Sequence, residues 1–364
     1  MRALAWRWLP VCQPDVSGFL PGGRSSAGRS DCQYGRPTIS EPRTIADLGE
    51  FGLIRRITAG FRPSEATVVG PGDDAAVLST SDGRVVASTD LLVENRHFRR
   101  DWSTANDIGR KAAARNFADV VAMGAQPSAL LVGLAVPPDL EVSWVDGLSA
   151  GFAEECGEVG AVVIGGDLSS ADSVTIAVTA LGDLQGREPV RQSGARPGDV
   201  VAVTGRLGWA AAGFAVLSRG FRSPVQMVNA HRRPEPPYAE GPRAAEMGAT
   251  AMTDVSDGLL ADLGHIAEAS GVRIDLRSAS LAPHSKLRDV SAALNVDPLT
   301  WVLTGGDDYA LAATFPSTLR LPAEWTTVGS VTAATEGGIG VRVDGLRWTT
   351  SDGPRSGGGH EHFR

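Results

Sequence analysis

Cysteine is scarce in this 364-residue chain: there are three, Cys12, Cys32 and Cys156, and none stands at metal-ligand spacing. That argues against a disulfide framework and makes a reducing, cytoplasmic setting the expectation. No Cys/His cluster is present, which argues against zinc. Long apolar runs are missing too. No stretch reaches the roughly 18 consecutive apolar residues of a membrane span. Positive charge is in deficit, with a net charge of −8. Passive nucleic-acid binding wants a basic face and is disfavoured. Polyphosphate ligands stay open, because a bound cation can reverse the local field. The chain also lacks a G-x-x-x-x-G-K-[ST] loop and the H-R-D and D-F-G signatures. A nucleotide site here needs another architecture.

What is present is glycine, 44 residues of it, and a length that suits two domains. Residues 1–43 are rich in Gly, Pro, Ser and Arg and read as a disordered extension. The apolar run in its opening MRALAWRWLPV is too short and interrupted for a signal peptide. Order is expected from TIADLGEFGLIRRI, where Ile45, Leu48, Phe51, Leu53 and Ile54 form one apolar helical face.

Residues 44–185 then read as an α/β domain. Strands are expected at ATVVG, AAVLST, RVVASTD, SALLVGLAVP, AVVIGGD and SVTIAVTALGDL, and helices over 106–123 and up to Gly160. Residues 186–364 read as a second, α+β domain. Its expected strands are DVVAVTG, GVRIDL, WVLTGGDDYALAATF and WTTVGSVT. Its expected helices are GWAAAGFAVLSRG and one starting at Asp257, capped by Ser256 or Asp257, while the proline-rich 222–242 reads as a loop.

Aspartate recurs beside glycine and small polar residues, in GPGDDAAVL, STDLL, VVIGGDLSS, MTDVSDGLL and LTGGDDYAL. A single such acid is an ordinary turn or cap residue. Asp73, Asp254 and Asp257 each allow that reading. As a set, the acids at 74, 90, 119, 167, 254 and 257 stand at the ends of apolar segments. If they converge, they repel one another unless a cation is present. Oxygen-only donors suit several Mg²⁺ ions holding a polyphosphate. Gly165 and Gly166 would let backbone approach phosphate oxygens. Arg115 and Asp119, four apart on a helix, could instead simply pair.

The segments GPGDDAAVL, STDLLVENRHF, NFADVVAMGAQP, GGDLSSADSVTIAVTALG, RQSGARPGDVVAVTG, TDVSDGLLADLGHIAEASG and LTGGDDYAL follow the order and spacing of thiamine-monophosphate kinase. The chain resembles that family over roughly residues 44–363. The resemblance implies a two-domain aminoimidazole ribonucleotide synthetase-like fold, α/β plus α+β, with the N-terminal sheet pairing across a homodimer. It implies transfer of the γ-phosphoryl of ATP to thiamine monophosphate, with Mg²⁺ and no residue acting as a base. Its metal positions fall on Asp74, Ser88, Thr89, Asp90, Asp119, Asp167, Asp254 and Asp257. Its ATP contacts fall on Gly166, Asp167, Arg191 and Ser256, and its acceptor contacts on His97, Asp307 and His360.

Three departures stand out. Ala118 replaces a serine, Asp307 a glutamate, and His360 an aromatic residue. A synthetase of the same fold is the rival enzyme, and a catalytically silent nucleotide-binding protein is the rival of another class. The tail GGGHEHF has metal-like spacing that a flexible terminus explains as well.

Overall fold

A computed structural model describes residues 44–71, 75–334 and 338–348. The expectations for residues 1–43, for Asp73 and Asp74, and for His360 with its tail lie outside the described residues.

The described residues open with two short helices where one was expected. α1 (Ile45–Leu48) opens with a reciprocal cap between Thr44 and Asp47, and α2 (Glu50–Thr58) follows. Gly49, at φ 73°, breaks the helical path between them. The break turns Phe51 outward, 62% exposed, while Leu53 and Ile54 are buried. The single apolar face read from the sequence is therefore split.

A small antiparallel pair, β1 (Thr67–Val69) with β2 (Val77–Leu78), precedes the main N-terminal layer. That layer comprises β3 (Val86–Val93), α3 (Ala105–Ala122), β4 (Gln126–Val136), α4 (Val142–Val159), β5 (Val162–Ser170) and β6 (Thr175–Asp183). The strands order as β3-β6-β4-β5, with only the β4–β5 pair parallel. Alternation along β6 buries Ile176, Val178 and Ala180 in one core with Ile108, Phe117 and Val120 of α3 and Phe152 of α4. The helices cross closely because the crossing is made of glycine. A Cβ on Gly109 would sit 2.2 Å from the Leu148 carbonyl oxygen, and one on Gly151 would sit 2.2 Å from that of Asn106.

The second half holds β7 (Asp199–Thr204), α5 (Trp209–Ser218), α6 (Val225–Arg232), α7 (Glu240–Met247), β8 (Ala251–Val255), α8 (Leu259–Ser270) and β9 (Val272–Leu276). After these come α9 (Ser285–Leu294), α10 (Pro298–Thr304), β10 (Ala310–Pro316), β11 (Thr326–Ala333) and β12 (Gly340–Val343). Its six strands order as β12-β9-β11-β7-β10-β8, antiparallel except for β12 against β9.

Three expectations need correcting here. The 222–242 segment is not a loop, because it contains α6 and the start of α7. Its prolines flank the helix, at Pro224 and Pro234, and leave Met227, Val228, Ala230 and His231 to face the interior. The segment from Trp301 to Thr304 is helical, not strand. Asp297 caps α10 by accepting the Leu299 N–H at 3.0 Å, and Pro298 fits its first position. α8 starts at Leu259 with Gly258 as its cap, so neither Ser256 nor Asp257 caps it. Asp262 reaches back instead, accepting the N–H groups of Asp257 at 3.1 Å and Gly258 at 3.0 Å.

Candidate active site

α3 carries Lys111, Arg115 and Asp119 four residues apart, so the three share one face. Strand β3 presents Ser88 and Asp90 to that face. The Ser88 hydroxyl donates to Asp119 Oδ2 at 2.6 Å, and Arg115 Nε donates to Asp90 Oδ2 at 2.7 Å. Arg115 therefore pairs with Asp90 and not with Asp119, which settles the alternative left by their spacing. The period of two sends Thr89 to the opposite face, where its hydroxyl donates to the Val178 carbonyl at 3.0 Å. Asp90 and Asp119 also lie inside elements, not at the ends of apolar segments as read from the sequence.

Asp254 approaches this cluster from the other half. It sits in β8, buried, and its Oδ2 has no hydrogen-bond partner among the described residues. Burial, then the nearby Asp119 and Asp262, push its carboxyl well above the ordinary range. Burial and the Asp90 charge push Asp119 up to about 6, against the Ser88 hydrogen bond. A buried polar atom with no partner, between carboxylates that raise one another, is what a divalent cation resolves. The donors are all oxygens, as Mg²⁺ requires. These residues fit the metal.

Just beyond β8, Asp257, Asp262 and His265 each offer one ligand atom, all within 4.8 Å of one another. Asp262 is buried and held up at about 7, first by burial and then by Asp257. Ser256 lies two residues beyond Asp254 and draws its carboxyl down, against the burial and the neighbouring acids that raise it. Gly166 and Asp167 belong to a different feature. They border a cavity of about 560 Å³ lined by Ile54, Phe61, Leu131, Phe152 and Leu168. Pro71 lies on its rim, next to the segment that carries Asp74. Asp167 is exposed and accepts from Ser169 at 3.2 Å. Gly166 is pressed against β4: a Cβ there would fall 1.9 Å from the Val132 carbonyl oxygen.

The remaining expected residues are spread more widely. His97 accepts the Val93 N–H through Nδ1 at 3.0 Å. Arg191 is exposed at the head of a 3-10 turn. Asp307 accepts from Lys111 and from the Tyr309 hydroxyl. Lys111, Asp262 and Tyr309 were missed by the sequence reading. No sequence signal marked Lys111, which stands between Arg110 and three alanines.

The raised carboxyls carry a pH consequence. The folded protein holds the Asp119 proton up to about 6, against 3.8 for an unperturbed aspartate. This group stabilises the fold fully below about pH 4 and withdraws that stability as pH rises through about 6. The expected result is that Mg²⁺ raises the melting temperature of metal-free protein more at pH 8 than at pH 5. Calorimetric melts with and without Mg²⁺ at both pH values check it. An equal Mg²⁺ effect at the two would contradict the arrangement.

Known proteins share this architecture. The family model described as AIR synthase related protein, N-terminal domain, matches residues 72–184, and the C-terminal domain model of the same name matches 196–301. A thiamine-monophosphate kinase of Mycobacterium tuberculosis is 49% identical over 311 residues, covering 85% of this chain and 92% of the relative. The crystal structure of thiamine monophosphate kinase from Aquifex aeolicus superposes with a TM-score of 0.68 at 33% identity, over 72% of this chain and 89% of that one. A structure described as AaThiL complexed with AMPPCP and TMP matches with a TM-score of 0.68 at 30% identity, over 87% and 98% of the two chains.

Proposed function

The chain belongs to the thiamine-monophosphate kinase family, and we propose that it transfers the γ-phosphoryl group of ATP to thiamine monophosphate, giving ADP and thiamine diphosphate. One observation carries this reading beyond the family name. The acids of the two halves meet at the half-buried Asp119 and the buried Asp254, whose Oδ2 has no partner among the described residues.

The reaction asks little covalent chemistry of the protein. The acceptor oxygen belongs to a phosphate monoester whose second pKa is about 6, so it is already ionised at neutral pH. No general base is needed, and no residue is assigned as one. The obstacle is to hold two polyanions in line. Asp90, Asp119, Asp254 and Asp257, with Ser88 and Asp74, would hold Mg²⁺ at the cluster, and Asp167 would hold it at the cavity edge. Bound there, Mg²⁺ supplies neutralising charge to the phosphates. The Thr89 hydroxyl faces away, so that residue has only its backbone to contribute.

The cavity beside Gly166 suits the adenosine of ATP. It is concave and mostly apolar, and glycine at its edge leaves room for phosphate oxygens. Arg191 would add a cation on the γ-phosphate side, and Ser256 a hydroxyl. His97, Asp307 and His360 are assigned to the acceptor. The sheet face opposite α3 carries exposed Leu91 beside the cavity, which supports the proposal of a homodimer paired through that face.

Release of ADP by the purified chain with ATP and Mg²⁺ tests this reading, comparing thiamine monophosphate, free thiamine and formylglycinamidine ribonucleotide as acceptors. The proposal expects release with thiamine monophosphate alone. Release only with the ribonucleotide would move the chain to the synthetase reaction of the same fold. No release with any acceptor would favour a silent nucleotide-binding protein.

A further inference from the structure

Lys111 is a charged side chain that the transfer chemistry leaves unused, and it is 2% exposed. It is followed on α3 by Ala112, Ala113 and Ala114, all buried. Its ammonium reaches out of the N-terminal half into the C-terminal one. It donates to Asp307 Oδ2 at 2.7 Å and to the His231 carbonyl at 3.2 Å. The His231 ring adds no second charge beside it, because burial, then Lys111 itself, hold that imidazole down at about 3.

Asp307 sits in an unusual turn. Asp307 and Tyr309 both lie in the left-handed region, at φ 64° and 51°, which non-glycine residues adopt only when their surroundings insist. Those surroundings are visible. The Asp307 N–H donates to the Ser256 carbonyl at 2.8 Å, and the Tyr309 N–H donates to that of Val255 at 3.0 Å. Between them, Asp308 accepts the N–H groups of Gly208 and Ala210 at the head of α5. Gly306 presses against the same segment, where a Cβ would fall 2.3 Å from the Ser256 carbonyl oxygen. These holds all come from the C-terminal half. From α3, Lys111 supplies the hydrogen bond to the turn, and Arg115 adds a second positive charge that faces Asp307 and Tyr309.

Both Asp307 oxygens are engaged, Oδ2 by Lys111 and Oδ1 by the Tyr309 hydroxyl at 3.0 Å, yet the side chain is 37% exposed. Each carboxylate oxygen has two lone pairs, so each keeps one for a ligand. The direction of that free pair is set by the lysine and the tyrosine.

We propose that Lys111 is a positioning residue for the phosphate acceptor: it ties α3 to the Asp307 turn and aims the carboxylate that the acceptor meets. This rests on the reading of Asp307 as an acceptor contact. A merely structural ion pair across the two halves would weaken both substrates together on removal. A positioning role splits them.

The experiment compares wild type, Lys111→Met and Tyr309→Phe by steady-state kinetics in each substrate, with titration calorimetry of thiamine monophosphate in the absence of ATP. Lys111→Met is expected to raise KM for the acceptor about tenfold or more and to weaken its calorimetric binding alike, as loss of a charge-assisted hydrogen bond does. KM for ATP should stay within about twofold of wild type, because ATP contacts neither residue in this reading. Tyr309→Phe keeps the ring and removes only the Oδ1 contact, so it should raise the acceptor KM about threefold, as for one neutral hydrogen bond. That variant decides the matter if Lys111→Met does not fold. Equal rises in both KM values, or an unchanged acceptor KM, would overturn the proposal. Should wild type turn over a different phosphate acceptor, the comparison is made with that compound, and only the substrate assignment falls.

Discussion

Asp254→Asn should nearly abolish turnover and, at the same time, make the metal-free protein harder to melt. The two effects have one cause. Asp254 is buried beside Asp119 with one oxygen unpartnered among the described residues, and burial with the neighbouring acids pushes its carboxyl well above the ordinary range. Ionised without a cation, it destabilises the fold. The amide removes that charge and offers an N–H₂ donor to the carboxylate beside it. At pH 8 the melting temperature of metal-free variant should therefore exceed that of wild type by several degrees.

At pH 5 the wild-type acids regain protons, so the two proteins should converge. Turnover moves the other way. Losing a carboxylate from the site that positions phosphate should lower kcat by about a thousandfold, the scale seen when a preorganised charge contact is removed. Stability traded against activity at one residue marks a functional site. Matched melting curves and initial rates at the two pH values check both halves. A variant that melts lower than wild type without metal at pH 8 would show Asp254 to be an ordinary structural acid.

Gly166→Ala should be the most damaging single methyl in the N-terminal half. The added Cβ would sit 1.9 Å from the Val132 carbonyl oxygen, a backbone atom of the paired strand. A backbone atom cannot rotate away as a flexible side chain can, so β5 must move off β4. Overpacking of this kind costs about 1–3 kcal/mol or more. The strand also carries Asp167 and borders the 560 Å³ cavity, so the shift acts directly on the proposed ATP site. The expected outcome is loss of at least tenfold in ATP affinity, by calorimetry with a non-hydrolysable analogue, with a lower melting temperature. Gly157→Ala is the control. It lies on α4, where an added Cβ meets nothing within 4 Å, and it should leave affinity unchanged. An ATP affinity in Gly166→Ala equal to that of the control would detach β5 from nucleotide binding.

Much of the two-domain organisation was legible because its signals are local and strong. The run from Asn106 to Met123 has helical spacing, and Gly160 ends α4 at φ 73° as a helix-closing glycine should. The segment 222–242 was misread because prolines were counted without regard to position: Pro224 and Pro234 bracket α6 and do not interrupt it. Trp301, Val302 and Leu303 looked like strand because three apolar residues in a row have no period. The cap of Asp297 with Pro298 was the stronger signal.

The acids were legible as residue types, while their facing was not. Ser88 and Asp90 turn to α3, and Thr89 turns away. The alternation was readable within β3, but only the fold says which side meets α3. Lys111 could not be found from sequence. Its partner Asp307 is 196 positions away, and no local pattern encodes a contact between halves. Asp262 is nearer to legibility, since an acid a few residues into a helix commonly reaches back to N–H groups before it.

The central claim is direct transfer from ATP to the acceptor phosphate in a metal-binding cleft, with no base and no phosphorylated protein. The measurement that meets it most directly uses ATP made chiral at a γ-thiophosphoryl group, turned over with thiamine monophosphate. The account predicts a thiamine diphosphate analogue carrying the terminal thiophosphoryl group with inverted configuration, the mark of a single in-line step. Retention would mean two transfers through a phosphorylated side chain and would contradict it.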